Sequence, residues 1–138
     1  METLLIRDVR IFTGDQEIQN GSVLVANGKI HQVASSQLDA PNSSTKVISK
    51  PGHTLLPGLV DAHIHADNGN DVALPQALRF GVTTVCDMHN EPHNVEKLRK
   101  QSETPDTAGY KTCSFAATVS NGWPAAVVVA HDKSPEVN

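Results

Sequence analysis

The rhythm of apolar and polar positions changes near residue 57. Before it, short apolar runs alternate with polar residues and turn signals: Leu4-Leu5-Ile6, Val9-Arg10-Ile11, Val23-Leu24-Val25, Ile30 to Val33, and Val47-Ile48. Alternation with period two over such lengths predicts strands, so residues 3 to about 56 are expected to form a small antiparallel β structure. A turn is expected at Thr13-Gly14-Asp15. Asn27-Gly28, between Gly21–Val25 and Lys29–Val33, is a strong hairpin signal because both central residues of a tight hairpin turn take positive φ. Residues 35–45 are rich in Ser, Asn, Asp and Pro and read as an exposed loop. His31 and His53 fall in this part and read as surface residues.

Beyond residue 57 the pattern becomes strand, helix, strand, helix, strand. Pro57-Gly58 breaks the chain before the run Leu59 to His65, and Ala66 to Asn70 is a polar loop. Val72 to Phe80 suits a helix with Pro75 in its first turn and Gly81 just past its end. Val82 to Cys86 reads as the second strand, Asn94 to Gln101 as a helix capped by its asparagine, and Lys111 to Val119 as the third strand. Strands alternating with helices predict a parallel sheet, and hence the α/β class.

The first of these strands carries the chemistry. In Asp61-Ala62-His63-Ile64-His65, a period of two places His63 and His65 on one face with Asp61 behind them. Val60, Ala62 and Ile64 face the other way, small or apolar as burial against helices requires. Two neutral imidazoles side by side at a strand end form a chelate for a divalent metal. Histidines also occur as ordinary polar residues on solvated strands. On a strand expected to be buried on both faces, however, two unpaired imidazoles would be costly, which favours ligation. For Asp61 two roles stay open: orienting a histidine, or capping backbone groups.

The run LLPGLVDAHIH, followed by Phe80-Gly81-Val82-Thr83-Thr84-Val85-Cys86-Asp87-Met88, resembles the amidohydrolase superfamily of metal-dependent hydrolases. That pattern is a proline-glycine, a strand bearing Asp-x-His-x-His, and a later GVTTV-x-D strand. The resemblance implies the N-terminal part of a (β/α)8 TIM barrel, preceded by half of a small β-sandwich. Residues 1–56 would be the partial sandwich and 57–138 the first barrel units. A complete barrel takes about 250 residues, so this stretch supplies about three of its eight strands. The 138-residue chain therefore reads as the front part of an enzyme, with exposed strand edges expected where the partner half of the sandwich is lacking.

The resemblance further implies a divalent metal, zinc above all, held by His63 and His65. In the family a lysine that is often carboxylated, two more histidines and a late aspartate complete the site, and no residues here match those later motifs. The implied reaction is hydrolysis of a C–N bond, in an amide or cyclic amide, or of an ester in a small-molecule substrate, through metal-activated water. The alternative is a truncated, catalytically inactive chain that self-associates or pairs with a complementary fragment. It is suggested by the apolar barrel wall that an open three-stranded piece would leave uncovered.

Barrel active sites are built from the loops at the C-terminal ends of the strands. Asp87, His89 and Glu91, after the second strand, are therefore candidates for orienting a ligand or touching substrate; His93 reads rather as a solvated helix-capping residue. After the third strand, Trp123 could wall a substrate pocket or plug the rim, and His131 with Asp132 could pair by a hydrogen bond. No nucleophile-elbow motif accompanies them.

Composition narrows the remaining classes. A net charge of −4 offers no nucleic-acid-binding patch, and 38% hydrophobic with 4% aromatic residues suits an incomplete core. The N-terminus lacks a basic start followed by an apolar stretch, and the longest late apolar run, Ala125 to Ala130, is too short to span a bilayer, so a cytoplasmic chain without membrane partners is expected. Cys86 and Cys113 fall in expected strands and read as buried thiols.

Overall fold

The computed structural model describes residues 2–66 and 69–114, and the chain divides into two compact units, Met1–Pro57 and Gly58 onward. The first unit is one five-stranded sheet: β1 (Thr3–Phe12), β2 (Glu17–Ala26), β3 (Lys29–Ala34), β4 (Lys46–Ser49) and β5 (Thr54–Leu55). β1 and β2 pair antiparallel from Thr3 opposite Ala26 to Phe12 opposite Glu17, and β3 extends the hairpin across Asn27 and Gly28. Both turn residues have positive φ, 51° and 74°, the twist that joins two adjacent antiparallel strands without splaying them. Val9, Ile11 and Val23 form the core, closed by Ile6, Ile18, Val25 and Leu55.

The purely antiparallel expectation is corrected along the other edge of β1. There β4 runs parallel to Leu4–Arg7, and β5 runs parallel to Arg10–Ile11 further along the same strand. The loop 35–45 is long enough to carry the chain back across the sheet, which a parallel neighbour requires and a tight hairpin cannot supply. Alternation in sequence reports that a segment is a strand, not which way its neighbour runs. Ile30, Val33 and Val47 remain exposed on this sheet, and His31 and His53 lie at its surface.

The second unit is a parallel three-stranded sheet in the order β6 (Leu59–Ile64), β7 (Val82–Asp87), β8 (Gly109–Thr112). Helix α1 (Ala73–Arg79) connects β6 to β7, and α2 (Pro92–Gln101) connects β7 to β8. Leu74 from α1, Val95 and Leu98 from α2, Val85 from β7 and Tyr110 from β8 make the core, with Ala66 and Ala108. Helix α1 ends where Gly81 takes φ 85°, a conformation that a side chain would strain.

Three expectations for this unit are corrected. Helix α2 begins at Pro92, not Asn94: proline is preorganised for the first helical position, and Asn94 is drawn into the buried face instead of capping. The third strand starts at Gly109 and ends at Thr112; the rest of the expected strand, from residue 115, lies outside the described residues. Because β8 ends early, Cys113 is exposed, whereas Cys86 within β7 is half-buried, and both thiols are free.

Gly58, at the start of β6, abuts β7. A Cβ there would stand 2.2 and 2.3 Å from the Thr83 side-chain tips and 2.7 Å from its Cβ, too close for a β-branched residue to evade. Gly58→Ala should therefore destabilise the second unit by roughly 1–3 kcal/mol in urea unfolding, as overpacking does. Combining it with Thr83→Ala, which removes the two nearest atoms, should recover part of that loss.

Candidate metal centre

β6 is an edge strand, and this sets its environment. Among the described residues its hydrogen-bonded partner is β7 alone, and the strand is exposed along most of its length, with Leu59 and Val60 at 52% and 62%. The expectation of a strand buried on both faces is thus corrected: among the described residues of this unit no further strand pairs with its outer edge. Ile64, at its end, does pack against the core.

The pairing of β6 with β7 contains an extra residue next to the histidines. Asp61 is opposite Val85 and Ile64 opposite Asp87, so three steps along β6 face two along β7. Such an irregularity leaves a backbone group unpaired and re-aims the local side chains. Here the unpaired group is answered from within the strand, for Asp61 Oδ1 accepts the His63 backbone N–H at 3.1 Å. Of the two roles open for Asp61, the geometry displays the backbone cap.

Despite that irregularity the two imidazoles meet. His63 Nε2 and His65 Nε2 are 3.3 Å apart, and the rings are edge-to-face with centroids 5.2 Å apart and planes at 74°. Both side chains are exposed. Two ring nitrogens this close can share a proton, or, with both nitrogens deprotonated, present two lone pairs to one cation. Among the described residues no group of three or more His, Cys, Asp or Glu is placed to hold a metal ion together.

Asp87 was a candidate for contacting a ligand or substrate, and the structure places it in the interior. Its side chain is fully buried; Oδ2 accepts the Tyr110 hydroxyl at 2.7 Å and the Asn90 side-chain amide at 2.9 Å, while Oδ1 accepts the His89 backbone N–H at 3.3 Å. Burial, reinforced by the hydrogen bond to Asp87, pushes the Tyr110 hydroxyl well above its ordinary pKa. Asn90 and Tyr110 are the structural residues that sequence reasoning passed over. Tyr110 was legible only as the single tyrosine at a strand start, and Asn90 only as a polar residue in a loop.

The other candidates divide. His89 and Glu91 are half-buried in the loop after β7, and Glu91 pairs with His93 Nδ1 at 3.3 Å on the first turn of α2, which leaves His93 largely exposed. Trp123, His131 and Asp132 lie outside the described residues. A cleft of about 550 Å³ in the first unit, lined by Asp8, Arg10 and His53 among others, contains none of the candidates. The close approach of His63 and His65, not cavity volume, picks out the candidate site.

No family model matches the chain. Known proteins do resemble it. It is 42% identical over 71 residues to N-acetylglucosamine-6-phosphate deacetylase of Bacillus subtilis, an alignment covering 51% of this chain and 17% of that protein. It is 30% identical over 111 residues to dihydroorotase of Staphylococcus epidermidis, covering 72% of this chain and 26% of the relative. Among solved structures, phenylurea hydrolase B superposes with a TM-score of 0.70 at 21% identity, over 86% of this chain and 32% of that one. Molinate hydrolase gives 0.67 at 24%, over 86% and 30%.

Sequence and fold together place this chain with the N-terminal portion of the amidohydrolase superfamily. Its architecture is the opening part of that family's (β/α)8 barrel with the small β unit that precedes it. The chain spans about a quarter or less of the length of the two curated relatives. No helix among the described residues is long and apolar enough to cross a membrane.

The buried Tyr110–Asp87 bond gives a signed pH prediction. Because the folded state raises the tyrosine's pKa, its contribution is fully present below the unfolded value of about 10 and is lost as pH rises beyond it. Stability measured from pH 8 upward should fall above pH ~10, and Tyr110→Phe should remove that part of the slope. At neutral pH the same variant should cost about 1.5–3 kcal/mol, as expected for losing a hydrogen bond to a buried charged group.

Proposed function

We propose that this chain supplies the His-x-His element of a metal-dependent hydrolase. It would act on a C–N bond, in an amide or cyclic amide, or on an ester, in a small-molecule substrate. The observation that carries the reading is the 3.3 Å between the Nε2 atoms of His63 and His65. Two nitrogens bound to one zinc at 2.0–2.1 Å and at a tetrahedral angle stand about 3.3 Å apart, so the pair already has the bite of a chelate. The donor set fits as well: neutral imidazoles suit zinc, and their exposure leaves room for water and further ligands. When bound there, such a metal lowers the pKa of its water and polarises a scissile carbonyl.

The remaining steps fall to the chain's own residues. His63 and His65 would be the ligands that this chain offers, with their Nε2 atoms 3.3 Å apart. Asp61 keeps the His63 backbone satisfied where the β ladder does not. The loop after β7, with His89 and Glu91, stands at the same strand ends and is the place from which substrate would be contacted. The relatives named as a deacetylase and a dihydroorotase support an amide or cyclic amide as the substrate bond. A cytoplasmic setting is part of the same proposal.

A second reading has its own observation. With no group of three potential ligands among the described residues, and with β6 exposed along its edge, this chain alone would bind metal and pair with a complementary segment without turning over substrate. Titration calorimetry of the purified chain tests both. Two ligands do not fill zinc's four positions, so weak binding is expected, abolished in His63→Ala and in His65→Ala, with no amide or ester hydrolysis. Zinc binding unaffected by either substitution would refute the metal role; turnover lost in His65→Ala would refute the inactive reading.

A further inference from the structure

His65 lies just past the end of β6, so the β ladder does not hold it. Two bonds from the loop after β7 do so instead, one on each side. The Met88 backbone N–H donates to the carbonyl of Ile64 at 3.0 Å, and the Asn90 side-chain amide donates to the carbonyl of Ala66 at 2.8 Å. Ala66 is itself buried in the core, so this carbonyl has little access to water.

Asn90 is committed at its side-chain amide and its backbone N–H. Its two side-chain N–H groups go to Ala66 O and Asp87 Oδ2, its Oδ1 accepts the Glu91 N–H at 3.0 Å, and its own N–H donates to Ser114 O at 2.9 Å. A carbonyl and a carboxylate are both acceptors, so the amide must present its nitrogen to them and the orientation is fixed by chemistry. An aspartate of the same shape would place oxygen against both; an alanine would remove one donor from each, leaving the Ala66 carbonyl with the Gly69 backbone N–H at 3.1 Å and Asp87 Oδ2 with the Tyr110 hydroxyl.

We propose that Asn90 is a positioning residue for His65: through the Ala66 carbonyl it fixes the backbone that carries this imidazole and thereby keeps the ring against His63. The inference rests on the metal reading for its purpose, but its geometry is independent of metal. Groups that hold ligands in place are typically worth on the order of ten- to hundredfold in metal affinity. Tyr110 shares the Asp87 oxygen with Asn90 but has no bond to Ala66, so it separates positioning from general stability.

The test uses the full 138-residue chain, metal-free and then titrated with zinc, with inter-ring contacts of His63 and His65 followed by NMR. Asn90→Ala should lose those contacts and bind zinc on the order of 10- to 100-fold more weakly, while Tyr110→Phe keeps both. Asn90→Ser, whose short hydroxyl can still serve Asp87 but falls short of Ala66, should behave like Asn90→Ala and replaces it if that variant does not fold. Retained ring contacts in the asparagine variants would overturn the proposal, as would an equal loss in Tyr110→Phe. If the parent chain binds zinc equally well as His63→Ala, the metal reading fails, and the metal-free ring contacts still decide the role of Asn90.

Discussion

A single buried carboxylate organises the second unit. Asp87 terminates β7 inside the protein, where an unpartnered carboxylate would be prohibitively costly, so donors must be brought to it. They come from three places: the Tyr110 hydroxyl on β8, the Asn90 amide, and the His89 N–H in the loop that follows. Because Asn90 also holds Ala66, the ends of β6 and β7 and the Tyr110 side chain of β8 are drawn to one polar cluster. Apolar packing of Leu74, Val85 and Leu98 brings the elements together, but it is non-directional. The hydrogen bonds to Asp87 specify how the strand ends align.

The bond from Asn90 to the Ala66 carbonyl is the part of this cluster that reaches the His63–His65 pair. The pair sits where the β6 ladder is interrupted by one extra residue and then ends. Left to the strand alone, such a place would be loose. Asp61 answers the interrupted backbone from one side, and Met88 and Asn90 grip the chain on either side of His65. The rings remain exposed while the backbone beneath them is held, an arrangement suited to a ligand that arrives from solvent and needs fixed donors.

Much of this was legible in the sequence because local rules and tertiary structure agree. Pro57-Gly58 before a strand, Gly81 after a helix and Asn27-Gly28 in a hairpin take the places that local rules assign them, and the His-x-His spacing brings the two rings together. The failures occur where a neighbour decides. The direction of β4 and β5 depends on a long loop, and the start of α2 on Pro92 outcompeting Asn94. The exposure of β6 depends on what lies beside it, and the strand's apolar residues could not report that. Asp87 stood out as a candidate for contact with substrate because its loop position was visible. Its burial depends on Tyr110, a residue 23 positions away.

The central claim is that His63 and His65 act as one preformed two-nitrogen donor for a divalent metal. X-ray absorption spectroscopy of the zinc-loaded chain addresses it directly. The account predicts two imidazole nitrogens at about 2.0–2.1 Å with oxygen atoms filling the other positions, and loss of the imidazole signature in His65→Ala. A zinc environment without imidazole, or one unchanged by that substitution, would contradict it.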